Sequence, residues 1–153
     1  MTEIKEGMKA PWFEGTDQNG KIVRLDDFTG KKIVLYFYPK DNTPGCTAEA
    51  CNLRDNYELL IKQGFAVVGV SMDSEKSHKN FAEKYSLPFP LIADASKKIV
   101  NDYGVWRAKK MFGKSFLGIA RTTFIIDEKG VIEKIISQVE TKDHSNQIFK
   151  LYQ

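Results

Sequence analysis

A cysteine at the end of a strand-to-helix turn is the residue of this sequence best suited to chemistry. Cys46 lies in the run Tyr38–Cys51, which follows an apolar, strand-like segment at 33–38 and precedes a helical pattern. Thr43 and Pro44 are typical of the N-cap and first position of a helix, because threonine accepts from free backbone N–H groups and proline has no N–H group. We therefore predict Cys46 in the first helical turn, where free N–H groups and the helix dipole favour a thiolate.

The second cysteine, Cys51, lies five residues after the first, and the chain contains 2 cysteines and 2 histidines. A chain without an export signal is expected to keep both thiols reduced at rest, so a structural disulfide is a poor explanation for them. Zinc is also a poor explanation, because the spacing is not C-x-x-C and His78 and His144 are remote in sequence. We expect both histidines on the surface. The remaining interpretations are reactive thiols or two ordinary half-buried cysteines on one helix.

Helix geometry sets the relation between the two thiols. An offset of five residues on a regular α-helix corresponds to about 140° of rotation and about 7.5 Å of rise, which places the two Cα atoms roughly 8.6 Å apart. A disulfide requires Cα atoms within about 7 Å of each other. A bond between Cys46 and Cys51 therefore requires the start of the helix to unwind.

The composition is typical of one globular domain spanning residues 1–153, which is long enough to bury a core without disulfides or metal. Its 23 Lys and Arg residues are interleaved with 20 Asp and Glu residues, and the net charge is +3. The basic clusters are pairs such as Lys31-Lys32, which do not indicate nucleic-acid binding. Apolar runs fall short of the roughly 18 residues of a membrane span, and residues 1–6 contain no signal-peptide core. We expect a cytoplasmic protein that binds neither nucleic acid nor membrane.

Alternating strand and helix patterns surround the cysteine turn. Apolar runs predict buried strands at 32–38 and 65–72, and helical patterns after each of them predict helices at 44–63 and 75–85. The glycine-studded segment 104–118 has no clear period and is interpreted as a long loop. The remaining predicted elements are a hairpin at 12–25, strands at 90–93, 122–127 and 131–137, and helices at 96–103 and 143–151.

This order of elements indicates an α/β fold. Two strand-helix-strand units that lead into an antiparallel hairpin and a final helix imply a mixed sheet flanked by helices on both faces. The order resembles the thioredoxin fold with an N-terminal hairpin extension and an inserted strand and helix. A fold of this kind does not by itself name a reaction.

The residues around Cys46 resemble the active-site signature of the peroxiredoxins. Pro39, Thr43 and Cys46 stand in the pattern Pro-x-x-x-Thr-x-x-Cys, with Glu49 three places further on. With Cys51 at plus five, the longer run resembles the bacterioferritin comigratory protein, or peroxiredoxin Q, subfamily. The resemblance covers nearly the whole chain and includes, in the same order, Gly104-Val105-Trp106, Gly113-Lys114, Gly118-Ile119 and Arg121–Asp127.

The resemblance implies a role for each residue of the signature. Cys46 is by that resemblance the peroxidatic nucleophile, and Cys51 is the resolving cysteine. In the family pattern Thr43 and Arg121 contact the thiolate and the peroxide oxygens. The same pattern gives two supporting roles, in which Pro39 shields the pocket and Glu49 holds the arginine.

The resemblance also implies the reaction cycle and its partners. The expected enzyme is a thioredoxin-dependent peroxidase that reduces hydrogen peroxide and organic hydroperoxides in antioxidant defence. Cys46 becomes a sulfenic acid, which condenses with Cys51 to an intramolecular disulfide that thioredoxin or a similar dithiol then reduces. Such a cycle needs no metal, haem or flavin, and an intramolecular resolving cysteine favours a monomer.

Two other classes of function use the same residues. A thiol-disulfide oxidoreductase would share a thioredoxin-like fold but pass disulfides to proteins, and the missing C-x-x-C argues against it. A redox-switched binding protein would use a bond between Cys46 and Cys51 only to change shape. Peroxide turnover distinguishes the peroxidase from both.

Overall fold

The computed structural model of the protein describes residues 3–153 and has a five-stranded mixed sheet at its centre. The strands are β1 (Glu14–Thr16), β2 (Ile22–Arg24), β3 (Lys32–Phe37), β4 (Phe65–Ser71), β5 (Leu91–Ala93), β6 (Trp106–Met111), β7 (Lys114–Ile119), β8 (Thr122–Ile126) and β9 (Ile132–Ile136). The helices are α1 (Pro44–Asp55), α2 (Tyr57–Lys62), α3 (Glu75–Tyr85), α4 (Lys98–Asp102) and α5 (His144–Lys150), and a 3-10 turn covers Leu25–Phe28. Within residues 3–153 no helix has the length and apolar character needed to cross a membrane.

The central sheet has the order β5-β4-β3-β8-β9. β3 pairs in parallel with β4 and antiparallel with β8, while β5 and β9 form the two edges. β3 and β4 are almost entirely buried, which explains why both strands are continuous apolar runs rather than alternating ones. The arrangement confirms the predicted α/β fold with a mixed sheet flanked by helices.

The side chains of β3 point alternately into two separate cores. On one face Leu35 and Phe37 pack with α4 and with the segment around β1 and β2, the predicted N-terminal hairpin. On the other face Val34 and Tyr36 pack with residues of α1, α2, α3 and α5. Cys46 belongs to this second core, so the thiol lies between the sheet and its helical layer.

The predicted helix at 44–63 is interrupted at Asn56. Its backbone there has φ −109° and ψ 12°, so α1 ends at Asp55 and α2 begins at Tyr57. The Asn56 side chain donates to the carbonyl of Asn52 at 2.9 Å, and asparagine often competes with helical hydrogen bonds in this way. The predicted extent of the helical segment was correct, but the prediction of one continuous helix was wrong.

The predicted loop at 104–118 was also wrong, because this segment contains the hairpin of β6 and β7. The turn residues Phe112 and Gly113 have φ 53° and 77°, as a two-residue type I′ turn requires. Most side chains of the hairpin are exposed, so neither strand shows the apolar alternation that predicts a strand.

We predict that two phenylalanine truncations will separate the core from the hairpin. Phe124 on β8 is 2% exposed and meets Phe37 edge-on, whereas Phe112 at the hairpin turn is 96% exposed. Phe124→Ala should lower the free energy of unfolding by about 3–5 kcal/mol, and Phe112→Ala by less than about 0.5 kcal/mol. Urea unfolding measures both changes, and equal losses would contradict this assignment of the core.

Candidate active site

Cys46 occupies the third position of α1, in the first helical turn as the sequence predicts. Thr43 is the N-cap residue with an extended backbone, Pro44 is the first helical residue, and the Thr43 carbonyl accepts from Thr47 N at 2.8 Å. Cys46 is only 2% exposed. A sulfur in this position lies close to backbone N–H groups that have no partner within the helix.

The Thr43 hydroxyl does not cap the helix, contrary to the sequence prediction. It donates instead to the carbonyl of Lys40 at 2.8 Å, and its N-cap position is kept by the backbone alone. Because its hydrogen is committed to Lys40, the hydroxyl oxygen retains lone pairs that can accept a hydrogen bond. Thr43 and Pro39 lie half-buried in the turn that leads to Cys46.

Arg121 reaches the thiol although it lies 75 residues further along the chain. It precedes β8, and the antiparallel pairing of β8 with β3 puts Thr122 opposite Phe37 at the end of β3, where the cysteine turn begins. Its Nη2 lies 3.4 Å from Sγ of Cys46, and its Nη1 donates to Oε1 of Glu49 at 2.7 Å. The guanidinium thus joins the thiol to a carboxyl group.

Glu49 lies three residues after Cys46 on α1, so both side chains are on one face of the helix. Its side chain is 0% exposed, and burial raises its pKa to about 7, although Arg121 opposes the shift. Burial alone would lower the pKa of Arg121, but the charges of Cys46 and Glu49 outweigh it and raise that pKa. Arg121 is therefore cationic, while Glu49 titrates near neutral pH.

His144 is buried behind Glu49, and the prediction that it lies on the surface was wrong. Its Nε2 is 2.8 Å from the Thr123 hydroxyl and 3.6 Å from Oε2 of Glu49, and its Nδ1 is 2.8 Å from Oε1 of Gln147. Burial lowers the pKa of His144, as does the charge of Arg121. His144 and Ile148 share the buried face of α5, so helical spacing was a signal for its burial.

His78 is also buried, contrary to the prediction, and it holds the turn that precedes the thiol. Its Nδ1 lies 2.7 Å from Oδ2 of Asp41, which also accepts from Ser77, while Tyr38 donates to Oδ1 of Asp41 at 2.6 Å. These contacts fix Asp41, five residues before Cys46. His78 and Phe81 share the inward face of α3, a pattern that the sequence contained.

Cys51 is on α1 with Cys46 but does not meet it. It is half-buried, both thiols are free, and α1 is helical through both positions. The two Cα atoms are then roughly 8.6 Å apart by helix geometry, beyond the reach of a disulfide. The structure thus brings together Cys46, Glu49 and Arg121, and it leaves Cys51 apart.

A family comparison matches residues 7–135 to the AhpC/TSA family, so the chain belongs to that family. Its relatives are peroxiredoxins of the Bcp type. It is 49% identical over 141 residues to the putative peroxiredoxin bcp of Coxiella burnetii, covering 92% of this chain and 93% of that one. It is 48% identical over 141 residues to the peroxiredoxin Bcp of Bacillus subtilis, covering 92% and 90% of the two chains. The resemblance seen in the sequence is confirmed.

Solved structures agree with the sequence comparisons. A Xanthomonas campestris bacterioferritin comigratory protein superposes with a TM-score of 0.88 at 31% identity, covering 96% of both chains. A mutant of Xylella fastidiosa PrxQ superposes with a TM-score of 0.92 at 29% identity, covering 99% of this chain and 97% of that one. The thioredoxin-like architecture predicted from the order of elements is therefore confirmed.

We predict that Gly45→Ala will impair the site without destabilising the fold. A Cβ at Gly45 would lie 3.2 Å from Nη2 of Arg121, so the guanidinium would have to shift by a few tenths of an ångström from its place beside the sulfur. Oxidation of Cys46 by hydrogen peroxide should slow by about 10-fold, because small misplacements of a positioning group are costly. Stopped-flow oxidation measures the rate.

Thermal unfolding is the control for this variant, since alanine is favourable in a helix and should not lower the melting temperature. A wild-type oxidation rate in a correctly folded Gly45→Ala protein would show that the position of Arg121 does not matter.

Proposed function

We propose that the protein reduces hydroperoxides with Cys46 as the nucleophile and Arg121 as the donor that stabilises the transition state. The Cys46 thiolate attacks one peroxide oxygen, the S–O bond forms and the O–O bond breaks. The sulfur is oxidised to a sulfenic acid, and the leaving oxygen takes a proton to depart as water or an alcohol. The contact of 3.4 Å between Nη2 of Arg121 and Sγ of Cys46 carries this proposal.

Thiolate formation alone does not account for fast peroxide reduction. Lowering the pKa of a generic thiol from about 8.5 to about 6 raises its thiolate fraction near neutral pH roughly thirtyfold. The accompanying loss of nucleophilicity is about thirteenfold for a Brønsted coefficient of about 0.45, so the net gain is only about twofold. Donors directed at the leaving oxygen supply the rest, because negative charge develops there during the attack.

The surroundings of the thiol contain suitable donors and an acceptor. Arg121 presents several N–H groups in a rigid fork, and Cys46 lies among the free N–H groups at the start of α1. The Thr43 oxygen can accept from a peroxide O–H group, since its own hydrogen is bound to Lys40. Glu49 holds one arm of the guanidinium, and the proposed role of Pro39 is to shield the pocket.

The burial of Cys46 favours a small substrate over a protein disulfide. A cysteine that is 2% exposed is less accessible to a disulfide on the surface of another folded protein than to a small peroxide. This favours the peroxidase over a thiol-disulfide oxidoreductase. The alkyl peroxide reduction activity ascribed to the Xanthomonas campestris protein supports alkyl hydroperoxides as substrates beside hydrogen peroxide.

The second step joins the Cys46 sulfenic acid to Cys51, forming a disulfide and releasing water. This step requires the first two turns of α1 to unwind. The unwinding can stop at Asn52, which accepts from Ser145 N at 2.7 Å and donates to the Lys142 carbonyl at 3.1 Å. The mobile segment is then residues 44–51.

A dithiol reductant completes the cycle by exchanging with the Cys46–Cys51 disulfide, and thioredoxin is the proposed partner. The relatives' family name supports a thiol-dependent peroxidase. The cycle takes place within one chain, so the protein is proposed to act as a monomer.

Replacing the resolving thiol should separate the two halves of the cycle. In Cys51→Ser the first oxidation should remain within about twofold of wild type, because Cys51 does not contact Cys46. Turnover with thioredoxin, thioredoxin reductase and NADPH should be lost. Intact mass should show one added oxygen, where the wild type loses two hydrogens. Cys46→Ser should abolish both steps, and normal turnover of Cys51→Ser would exclude Cys51 as the resolving residue.

Removing the guanidinium should slow the peroxide step. Arg121→Ala should lower the second-order rate constant for Cys46 oxidation by about 100-fold, the usual effect of losing one transition-state donor. Arg107→Ala is the matched control, since Arg107 is exposed on β6 and donates only to a backbone carbonyl. A rate constant for Arg121→Ala within twofold of the control would contradict the proposed role.

A further inference from the structure

A buried oxygen without a partner lies next to the site. Oε2 of Glu49 is fully enclosed, and among residues 3–153 no group forms a hydrogen bond with it. Its other oxygen, Oε1, is occupied by Arg121 at 2.7 Å. A buried carboxylate oxygen without a donor is costly, so a proton on Oε2 or a nearby donor is needed.

Nε2 of His144 lies 3.6 Å from this oxygen, and both side chains are 0% exposed. Hydrogen bonds fix the ring orientation. Gln147 Oε1 accepts from Glu140 N at 2.8 Å while its amide nitrogen donates to the Gln138 carbonyl at 2.9 Å, so the amide orientation is settled. Nδ1 of His144, 2.8 Å from the same Oε1, therefore carries a hydrogen, so the single lone pair of neutral His144 is on Nε2, 2.8 Å from the Thr123 hydroxyl and 3.6 Å from Oε2 of Glu49.

We propose that His144 is a positioning residue whose Nε2 accepts a hydrogen bond from the protonated carboxyl group of Glu49, so that Glu49 is a neutral hydrogen-bond acceptor for Arg121. The acid proton lies on Oε2 and points to the imidazole. Oε1 then remains free to accept from the guanidinium. The proposal rests on the function proposed above and adds a residue to its machinery.

The electrostatics of the pocket favour this proton position. Burial raises the pKa of Glu49 to about 7 and lowers the pKa of His144, so the proton belongs to the carboxyl group rather than to the ring. The other titratable groups around Glu49 are Arg121, Cys46 and Tyr36 on β3. Burial raises the pKa of Tyr36 far above its usual range, so it stays neutral.

Two details of the geometry bear on the hydrogen bond between protonated Glu49 and His144. At 3.6 Å the two atoms are neighbours without a hydrogen bond, and a shared proton would draw them about 0.8 Å closer. The Thr123 hydroxyl, 2.8 Å from Nε2, donates to this lone pair when Glu49 is ionised and must release it when protonated Glu49 donates instead. Asn52 binds the start of α5 to α1, which holds His144 opposite Glu49.

The consequence concerns the charge that Arg121 offers to the sulfur. A neutral Glu49 leaves the positive charge of Arg121 to the Cys46 thiolate and the leaving oxygen. An ionised Glu49, 2.7 Å from Nη1, competes for that charge in a site of low dielectric constant. The peroxide step, measured per thiolate, should therefore slow as the pH rises through about 7.

The first test measures the proton directly and needs no peroxide. Infrared spectra of the reduced protein should show a buried carboxylic-acid band that is absent in Glu49→Gln and disappears as the pH rises through about 7. Histidine ¹⁵N spectra, with His78 assigned through its own variant, should show neutral His144 with hydrogen on Nδ1 throughout. A wild type without this band at pH 6, or a cationic His144, would overturn the proposal even if the peroxidase is fully active.

The second test removes the acceptor. In His144→Phe the acid form of Glu49 loses its hydrogen bond, so the midpoint of the infrared band should fall by about one pH unit. Peroxide oxidation per thiolate should be several-fold slower than wild type at pH 6.5 and equal to it at pH 9, where Glu49 is ionised in both. Equal slowing at every pH, or an unmoved midpoint, would make His144 merely structural. Failure of the peroxide reaction with the band shift intact would refute the peroxidase, not the proton pair.

Discussion

A half-buried guanidinium shared between a thiol and a carboxyl group is the interaction on which the site depends. Arg121 is 22% exposed and contacts both Cys46 and Glu49. Withdrawing a cation from water costs several kcal/mol unless nearby groups replace the lost hydration. The sulfur and the carboxyl oxygen do so here. The contacts of Arg121 with the sulfur and with the carboxyl group therefore hold all three side chains in place.

The fold satisfies this need through strand pairing rather than through local sequence. The β3–β8 ladder brings Arg121 to the end of β3, while the helix that starts there supplies both Cys46 and Glu49. Gly45 then allows the guanidinium to pass close to the backbone of α1. A one-residue slip of β8 would turn the side chains of that strand to the opposite face of the sheet. The many buried contacts of β3 and β8 thus fix the geometry of one contact with the thiol.

The sequence predicted the elements well wherever burial leaves a periodic pattern. The cysteine turn, α3 and the buried strands follow directly from proline, threonine and apolar periodicity. The β6–β7 hairpin was not predicted because its strands lie outside the core. Their sequences therefore do not alternate between apolar and polar residues. The helix break at Asn56 was not predicted because it depends on one side-chain hydrogen bond.

The site was predictable in part, and for a different reason. Helix-start chemistry singles out Cys46 from the residues alone, but Arg121 and Glu49 entered through the resemblance to a family, since their approach depends on strand register. The Glu49–His144 contact had no signal of that kind. The periodicity of α5 places His144 on the buried face beside Ile148, and only the packing of α5 against α1 decides which group it faces.

In the proposed cycle, α1 must hold the Cys46 thiol for the first step and release it for the second. Cys46, Glu49 and Ala50 are buried with the first turns of α1, so unwinding breaks the contact of Glu49 with Arg121 and exposes apolar surface. The hydrogen bonds of Asn52 to α5 oppose any unwinding beyond Cys51. Unwinding therefore costs free energy at the start of α1, where it breaks the contact between Glu49 and Arg121. The hydrogen bonds of Asn52 limit it at Cys51. This distribution of contacts favours a helix that stays intact until Cys46 is oxidised. It then favours unwinding that extends no further than Cys51.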